Sequence, residues 1–264
     1  MYIKIYGSRG SIPFFSRSNV GFGGNTSCVR VDTNGRTIIL DAGSGLFQYG
    51  QEMRGQSPDI DLLLGHLHLD HTIGLPMYAP LLNEDCKTRI LTKNRGTGSL
   101  ASQVFGSFKP PYWPLPVETI SRAELVALIP GEPFMLADDI VLHTKDSPHF
   151  DNTTAFRIEG DKTLVYLVDF EMSTKVTKAF VEFCKGADII IFDASYLPND
   201  VSGRHGWGHS TYEAGMLLAE WTECPRMLFT HLNPEYTDEM IKSESAKLNS
   251  GVYSFAYDGL EMSI

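Results

Sequence analysis

The segment His66-Leu67-His68-Leu69-Asp70-His71 places four side chains able to bind a metal within six residues, directly after the apolar run Ile60-Asp61-Leu62-Leu63-Leu64. Residues two apart in an extended stretch point the same way, so His66 and His68 are expected to share one ion while Asp70 and His71 turn toward a second. Two ions side by side suit attack on an ester by a water that they make more acidic. Other candidate ligands recur at the ends of expected strands. Asp169 follows Leu164-Val165-Tyr166-Leu167-Val168, His231 follows Arg226-Met227-Leu228-Phe229-Thr230, and His149 lies in the loop after a strand near residue 142. A second ion needs more ligands than Asp70 and His71 supply, and a carboxylate between two cations both offsets charge and fixes their spacing. Asp169 is the expected bridge.

The elements that must position these groups read as short apolar, β-branched runs at residues 2–6, 27–32, 37–41, 60–64, 88–92, 139–144, 154–159, 163–168, 188–192, 226–230 and 252–257. Ser121-Arg122-Ala123-Glu124 and Ser210-Thr211-Tyr212-Glu213 have the Ser-x-x-Glu form of a capping box and place helices near 122–129 and 211–222. Residues 173–185 and 237–248 also suit helices. Early strands joined by turns, then strands alternating with helices, imply two sheets with helices on their outer faces. There is no short-period repeat, only a coarse two-half organisation. The proline-rich stretch Lys109-Pro110-Pro111-Tyr112-Trp113-Pro114-Leu115-Pro116 reads as a rigid aromatic excursion loop.

At 264 residues and 42% hydrophobic, the chain can bury a full core, and residues 1–264 are expected to form a single domain. The net charge of −10 opposes binding to a long polyanion, and Lys87, Arg89, Lys93 and Arg95 form the densest basic stretch. Cys28, Cys86, Cys184 and Cys224 show no Cys-x-x-Cys pair, which fits reduced thiols and a cytoplasmic location. No apolar run approaches the roughly 18 residues of a membrane span.

The His-x-His-x-Asp-His segment, a later His, a post-strand Asp and a final His occur in the order found in the metallo-β-lactamase superfamily, which the chain resembles over nearly its whole length. The resemblance implies an α/β fold, the αβ/βα four-layer sandwich of two mixed sheets flanked by helices. It implies two zinc ions per chain, with manganese or iron as substitutes. His66, His68 and His149 would hold one, Asp70, His71 and His231 the other, and Asp169 would bridge; Asp70 is also assigned a catalytic part. His143 competes with His149 as third ligand, but it sits inside an expected strand.

Within the superfamily the chain is similar to the phosphodiesterase branch, through Gly7-Ser8-Arg9-Gly10-Ser11, Gly23-Gly24-Asn25-Thr26-Ser27, Asp41-Ala42-Gly43-Ser44-Gly45 and Gly208-His209-Ser210-Thr211. That branch includes tRNA 3′-processing endonucleases and small cyclic-nucleotide phosphodiesterases. His209, at an expected helix N-terminus, suits proton donation to a phosphodiester oxygen. Asp193-Ala194-Ser195 stands where the tRNA enzymes have His-Glu-Ala-Thr, and their long basic arm is absent, so Asp193 is expected to orient His209. The resemblance to the anti-Pycsar phosphodiesterases implies hydrolysis of cyclic mononucleotides. Tyr112, Trp113 and Ser210 are the expected substrate contacts, and a homodimer is expected in which the loop from Phe105 to Pro116 covers a cleft. The alternatives are a tRNA 3′-end endonuclease, a thioester or lactam hydrolase, and a metal-stabilised binding module.

Overall fold

The computed structural model describes residues 1–149, 153–173, 177–249 and 251–264. Strands β1 (Tyr2–Gly7), β2 (Cys28–Thr33), β3 (Arg36–Leu40), β4 (Asp59–Leu64), β5 (Lys87–Lys93) and β6 (Glu124–Leu128) build one sheet. Strands β7 (Phe134–Ala137), β8 (Ile140–Asp146), β9 (Thr154–Glu159), β10 (Thr163–Leu167), β11 (Ile189–Asp193), β12 (Met227–Thr230) and β13 (Tyr253–Phe255) build the second. A last strand, β14 (Glu261–Ser263), returns to the first sheet beside β1. The orders are β14-β1-β2-β3-β4-β5-β6 and β7-β8-β9-β10-β11-β12-β13. Read in those orders, each sheet has three antiparallel pairings followed by three parallel ones. The two-half organisation is therefore visible in the ladders themselves.

Alternation along the strands divides the core into three layers. Ile38, Leu40, Leu63, Leu164, Tyr166 and Ile191 point between the sheets. Their neighbours Ile39, Leu62 and Leu64 face outward beneath α1 (Gly45–Glu52), α2 (Leu100–Phe105) and α3 (Val117–Ile120). Val165, Ile190 and Phe192 lie beneath α4 (Thr177–Cys184), α5 (Tyr212–Thr222) and α6 (Asp238–Ser245). The strands Ile189–Asp193 and Met227–Thr230, apolar except for their last residue, are buried on both faces because they are parallel strands covered on each side. The result is the four-layer α/β sandwich of two mixed sheets flanked by helices. The four cysteines are buried and free of disulfides, and among the described residues no helix is long and apolar enough to cross a membrane.

All eleven expected strands form, with ends shifted by a residue or two. The helix expected near 122–129 does not: Glu124–Leu128 pairs in parallel with β5 as β6. Ser121 Oγ accepts from Ala123 N–H two residues on, a local turn in place of a cap, and the open edge of β5 offers the backbone a better ladder. Residues 174–176 of the helix expected over 173–185 lie outside the described residues. Helix α1 escapes the sequence pattern because its start, Gly43-Ser44-Gly45, reads as a turn. The loop expected from Phe105 to Pro116 is only partly an excursion. Phe105 ends α2, and both Phe105 and Phe108 are buried in the core beneath the first sheet.

Phe156 is fully buried between the sheets. Phe156→Ala is expected to lower unfolding free energy by about 3–5 kcal/mol in urea titrations. Leu217→Ala on the exposed face of α5, where the side chain is 46% accessible, should change it by no more than about 0.5 kcal/mol.

Candidate metal centre

The parallel strands of both sheets end on one side of the sandwich, and backbone geometry at those ends aims the side chains. After β4 the chain stays extended through His68 and then tightens into a 3₁₀ turn, Leu69–His71, which swings Asp70 and His71 away from the face that carries His66 and His68. Asp41 after β3, Asp169 after β10 and His231 after β12 have φ of 60°, 53° and 59°. Non-glycine residues in this left-handed region each cost on the order of 1 kcal/mol or more, a cost that surrounding structure must impose. Here it turns Asp169 and His231 into one cleft and Asp41 toward His71 behind it.

The side chains meet as two groups sharing one carboxylate. In the first, His66, His68, His149 and Asp169 have ligand atoms within 4.8 Å of one another, as do Asp70, His71 and His231 in the second. Asp169 Oδ1 lies 3.5 Å from His149 Nε2 and 3.9 Å from His66 Nε2. Its Oδ2 lies 2.8 Å from His71 Nε2 and 3.4 Å from His231 Nε2. Asp70 Oδ2 sits 3.2 Å from both of those nitrogens.

A second set of groups fixes the rings. His71 Nδ1 stands 2.8 Å from Asp41 Oδ2, which also accepts from Tyr166 Oη at 2.8 Å, while Gly65 N–H donates to Asp41 Oδ1. His231 Nδ1 is 2.8 Å from Ser195 Oγ, whose own hydroxyl donates to the His231 carbonyl. His149 Nδ1 faces the Gly208 carbonyl at 3.2 Å. In each case the partner at Nδ1 fixes the tautomer and leaves Nε2 for the cleft. Ser11 N–H donates to Asp70 Oδ2 at 2.7 Å. A Cβ on Gly10 would fall 2.3 Å from the His231 ring, so only glycine lets this loop lie against the ligand.

The donor set fits divalent cations. Neither ring nitrogen of buried His66 has a hydrogen bond. Asp169 Oδ2 likewise makes none, although His71 Nε2 is close, because these atoms aim at a common centre and not at each other. Burial pushes His66 and His149 below the ordinary histidine range, leaving neutral lone pairs. Burial pulls His71 the same way, but Asp70, Asp169 and Asp41 outweigh it, so a proton holds the place of positive charge among three carboxylates. Histidine and carboxylate ligands without thiolate suit zinc, manganese or iron.

Beside the two groups, His209 Nδ1 lies 2.9 Å from Asp193 Oδ2. Asp193 is fully buried and also accepts from the N–H groups of Asp169, Ser195 and Ser210. Burial disfavours the charged His209 ring, yet Asp193 overcomes it and raises its pKa to about 9. Asp169, Asp193, His209 and His231 also fall within ligand distance of one another, but His209 Nδ1 is committed to Asp193.

Other expected residues lie differently. His143 is on β8 facing Glu159 at 3.3 Å. Ser210 is neither helix cap nor available to a ligand: Thr211 caps α5, and the buried Ser210 hydroxyl donates to Phe170 O and accepts from Met172 N–H. Tyr112 is exposed, and Trp113 packs edge-on against Phe108; neither lines the cavity beside His209. Asp41, Tyr166 and Ser195 received no role from the sequence pattern. Asp41 alone carried a signal, as an acidic residue directly after an apolar strand.

Residues 36–232 match the family described as Beta-lactamase superfamily domain, a span containing every candidate ligand. The chain is similar to ribonuclease Z of Bradyrhizobium diazoefficiens, at 23% identity over 297 aligned residues, covering 93% of this chain and 94% of that protein. Among solved structures it is similar to a diphosphatase from the PhnP family, with TM-score 0.75, 20% identity, and coverage of 100% and 97%. Zn(2+)-bound PqqB from Methylobacterium extorquens gives TM-score 0.75 and 19% identity over all of both chains.

Elemental analysis of the purified protein is expected to find about two equivalents of divalent metal, and Asp169→Ala should lose metal and activity together. One tightly held ion with full activity would end the binuclear assignment. Asp41→Asn should weaken metal retention against a chelator by roughly 10–100-fold, the usual scale for a lost orienting partner.

Proposed function

The chain belongs to the beta-lactamase superfamily, and from that premise we propose a metal-dependent phosphodiesterase. Its metal ligands are His66, His68 and His149 on one side, Asp70, His71 and His231 on the other, with Asp169 between. Two divalent cations held there would supply an acidified water and positive charge for the non-bridging phosphate oxygens. The chain's own residues do the rest. Asp70, held by Ser11 N–H and flanked by two histidines, orients the attacking water. His209 donates a proton or hydrogen bond to the phosphoryl or leaving oxygen, and Asp193 keeps that proton available.

The observation that carries this reading is the buried Asp193 and its pairing to His209 beside the ligand groups. A thioester's thiolate leaves without protonation, so thioester hydrolysis has little need of a proton-holding group at that place. Because the ligands come from both sheets, the proposal takes residues 1–264 as one functional unit. Zinc is the preferred metal, in line with the zinc-bound relative.

Within phosphodiesters, the likeness to ribonuclease Z over nearly the full length of both chains favours RNA 3′-end cleavage, including tRNA precursors. This reverses the order expected from composition. A second reading, hydrolysis of cyclic mononucleotides such as immune signals, is favoured by the net charge of −10. The proposal includes a homodimer in which Tyr112, 82% exposed, approaches the partner's cleft; a monomer by sedimentation would remove that part.

A hydrolysis screen over tRNA precursor, cyclic mononucleotides and bis(p-nitrophenyl) phosphate tests the whole. Cleavage of precursor with steep salt dependence supports the first reading, turnover of cyclic mononucleotides alone supports the second, and no diester turnover rejects both. His209→Ala is expected to keep its metal and lose about a hundredfold in turnover. Loss of metal in that variant would instead make His209 a ligand.

A further inference from the structure

Next to His209 lies a cavity of about 460 Å³, lined among others by Ser11, Ile12, Tyr196, Arg204 and Trp207. Its volume falls in the range of small-ligand sites. Two large apolar side chains stay exposed at its walls, Trp207 at 55% and Ile12 at 57%. An exposed indole is usually free to move, but the backbone that carries this one is held on both sides. Glu171 accepts from Gly206 N–H with one carboxylate oxygen and from Gly208 N–H with the other, each at 2.8 Å. Both glycines have φ of 84°, and Trp207 N–H donates to Arg204 O at 3.1 Å. A Cβ on Gly208 would fall 2.0 Å from His149 Nδ1, so the same loop is also fitted against a candidate ligand.

Arg204 adds charge to this wall. Its guanidinium sits 4.8 Å over the Tyr196 ring, whose edge lies against His209 with centroids 5.8 Å apart. Arg204 thus lines the cavity with a positive charge in a chain whose net charge is −10. A flat aromatic face, a cation held at fixed height and a proton-holding histidine thus border one space.

We infer that this cavity is a nucleobase subsite: the Trp207 indole carries the base of the nucleotide whose phosphate lies at the metal centre, and Arg204 hydrogen-bonds its edge or sugar. The inference rests on the phosphodiesterase reading and adds to it the group recognised beyond the phosphate. Glu171 is the positioning residue, since its two hydrogen bonds order the platform before any ligand arrives and spare the entropy of ordering it.

The test compares thymidine 5′-(p-nitrophenyl phosphate) with methyl p-nitrophenyl phosphate, which share a leaving group and differ in the nucleoside. For the metal-loaded full chain, kcat/KM should favour the nucleoside ester. Trp207→Ala should cut that preference about tenfold or more, mainly through KM, as loss of base stacking does elsewhere. Trp207→Phe, which keeps a stacking face, should restore most of it. Glu171→Ala, which frees both glycines, should also reduce the preference, chiefly through KM. In parallel, AMP should quench wild-type tryptophan fluorescence, and the quench should vanish in Trp207→Phe.

An unchanged preference and unchanged AMP binding in Trp207→Ala would overturn the inference. So would a change in oligomeric mass alone, which would make Trp207 a contact between chains. If wild type hydrolyses neither ester, the phosphodiesterase reading falls; a Trp207-dependent AMP quench would still uphold the subsite, and its absence would remove that as well.

Discussion

The arrangement depends on one carboxylate facing two ways. Asp169 presents one oxygen to His149 and His66 and the other to His71 and His231. Seven candidate ligand side chains in one cleft bring their own repulsion and desolvation, which only opposite charge can offset. A shared carboxylate would let two cations stand close without the repulsion that their separate ligand sets would leave. Its placement in turn needs a left-handed residue at the end of β10 and the Asp193 carboxylate to receive its N–H. Asp193 thereby ties the bridge, His209 and the start of the Ser195 turn to one buried anchor.

The two sheets solve the same problem in the same way. Each runs three antiparallel steps into three parallel ones, and in each the fourth strand of that order ends on an aspartate with positive φ, Asp41 after β3 and Asp169 after β10. The two aspartates differ in distance from the cleft. Asp169 reaches the ligand atoms directly, while Asp41 stands one layer behind and holds His71. Equivalent positions in the two halves therefore supply an inner and an outer shell of the same centre.

Much of this was legible in the amino-acid pattern because the signals were local. A buried parallel strand is an unbroken apolar run, and a ligand placed after it is a polar residue at a definite point. His66 to His71, Asp169, His231 and His149 could be named on that basis. The pairing of Asp193 with His209 could be named as well. What stayed hidden depended on partners far along the chain. Ser121-Arg122-Ala123-Glu124 satisfies a helix-start pattern, but the unpaired edge of β5 decides its conformation. Ser210 looks free in sequence, and its hydroxyl is consumed by Phe170 and Met172. Trp207, set between glycines, carries no local signal. Those glycines are what allow Glu171 to clamp the loop, an interaction with no local trace.

The span between ligands has a consequence for how the molecule lives with its metal. Asp70 and His231 are 161 residues apart and follow strands of different sheets, β4 and β12. A cation held by both would be a removable rivet between the two halves of the sandwich, absent from the unfolded chain and present only after long-range assembly. Its binding energy would then be part of the energy that keeps the sheets together, and thermal endurance would rise with free cation concentration. Starvation for metal would loosen the seam between the lobes as well as silence the chemistry, making the supply of the ion a control on how long the protein lasts.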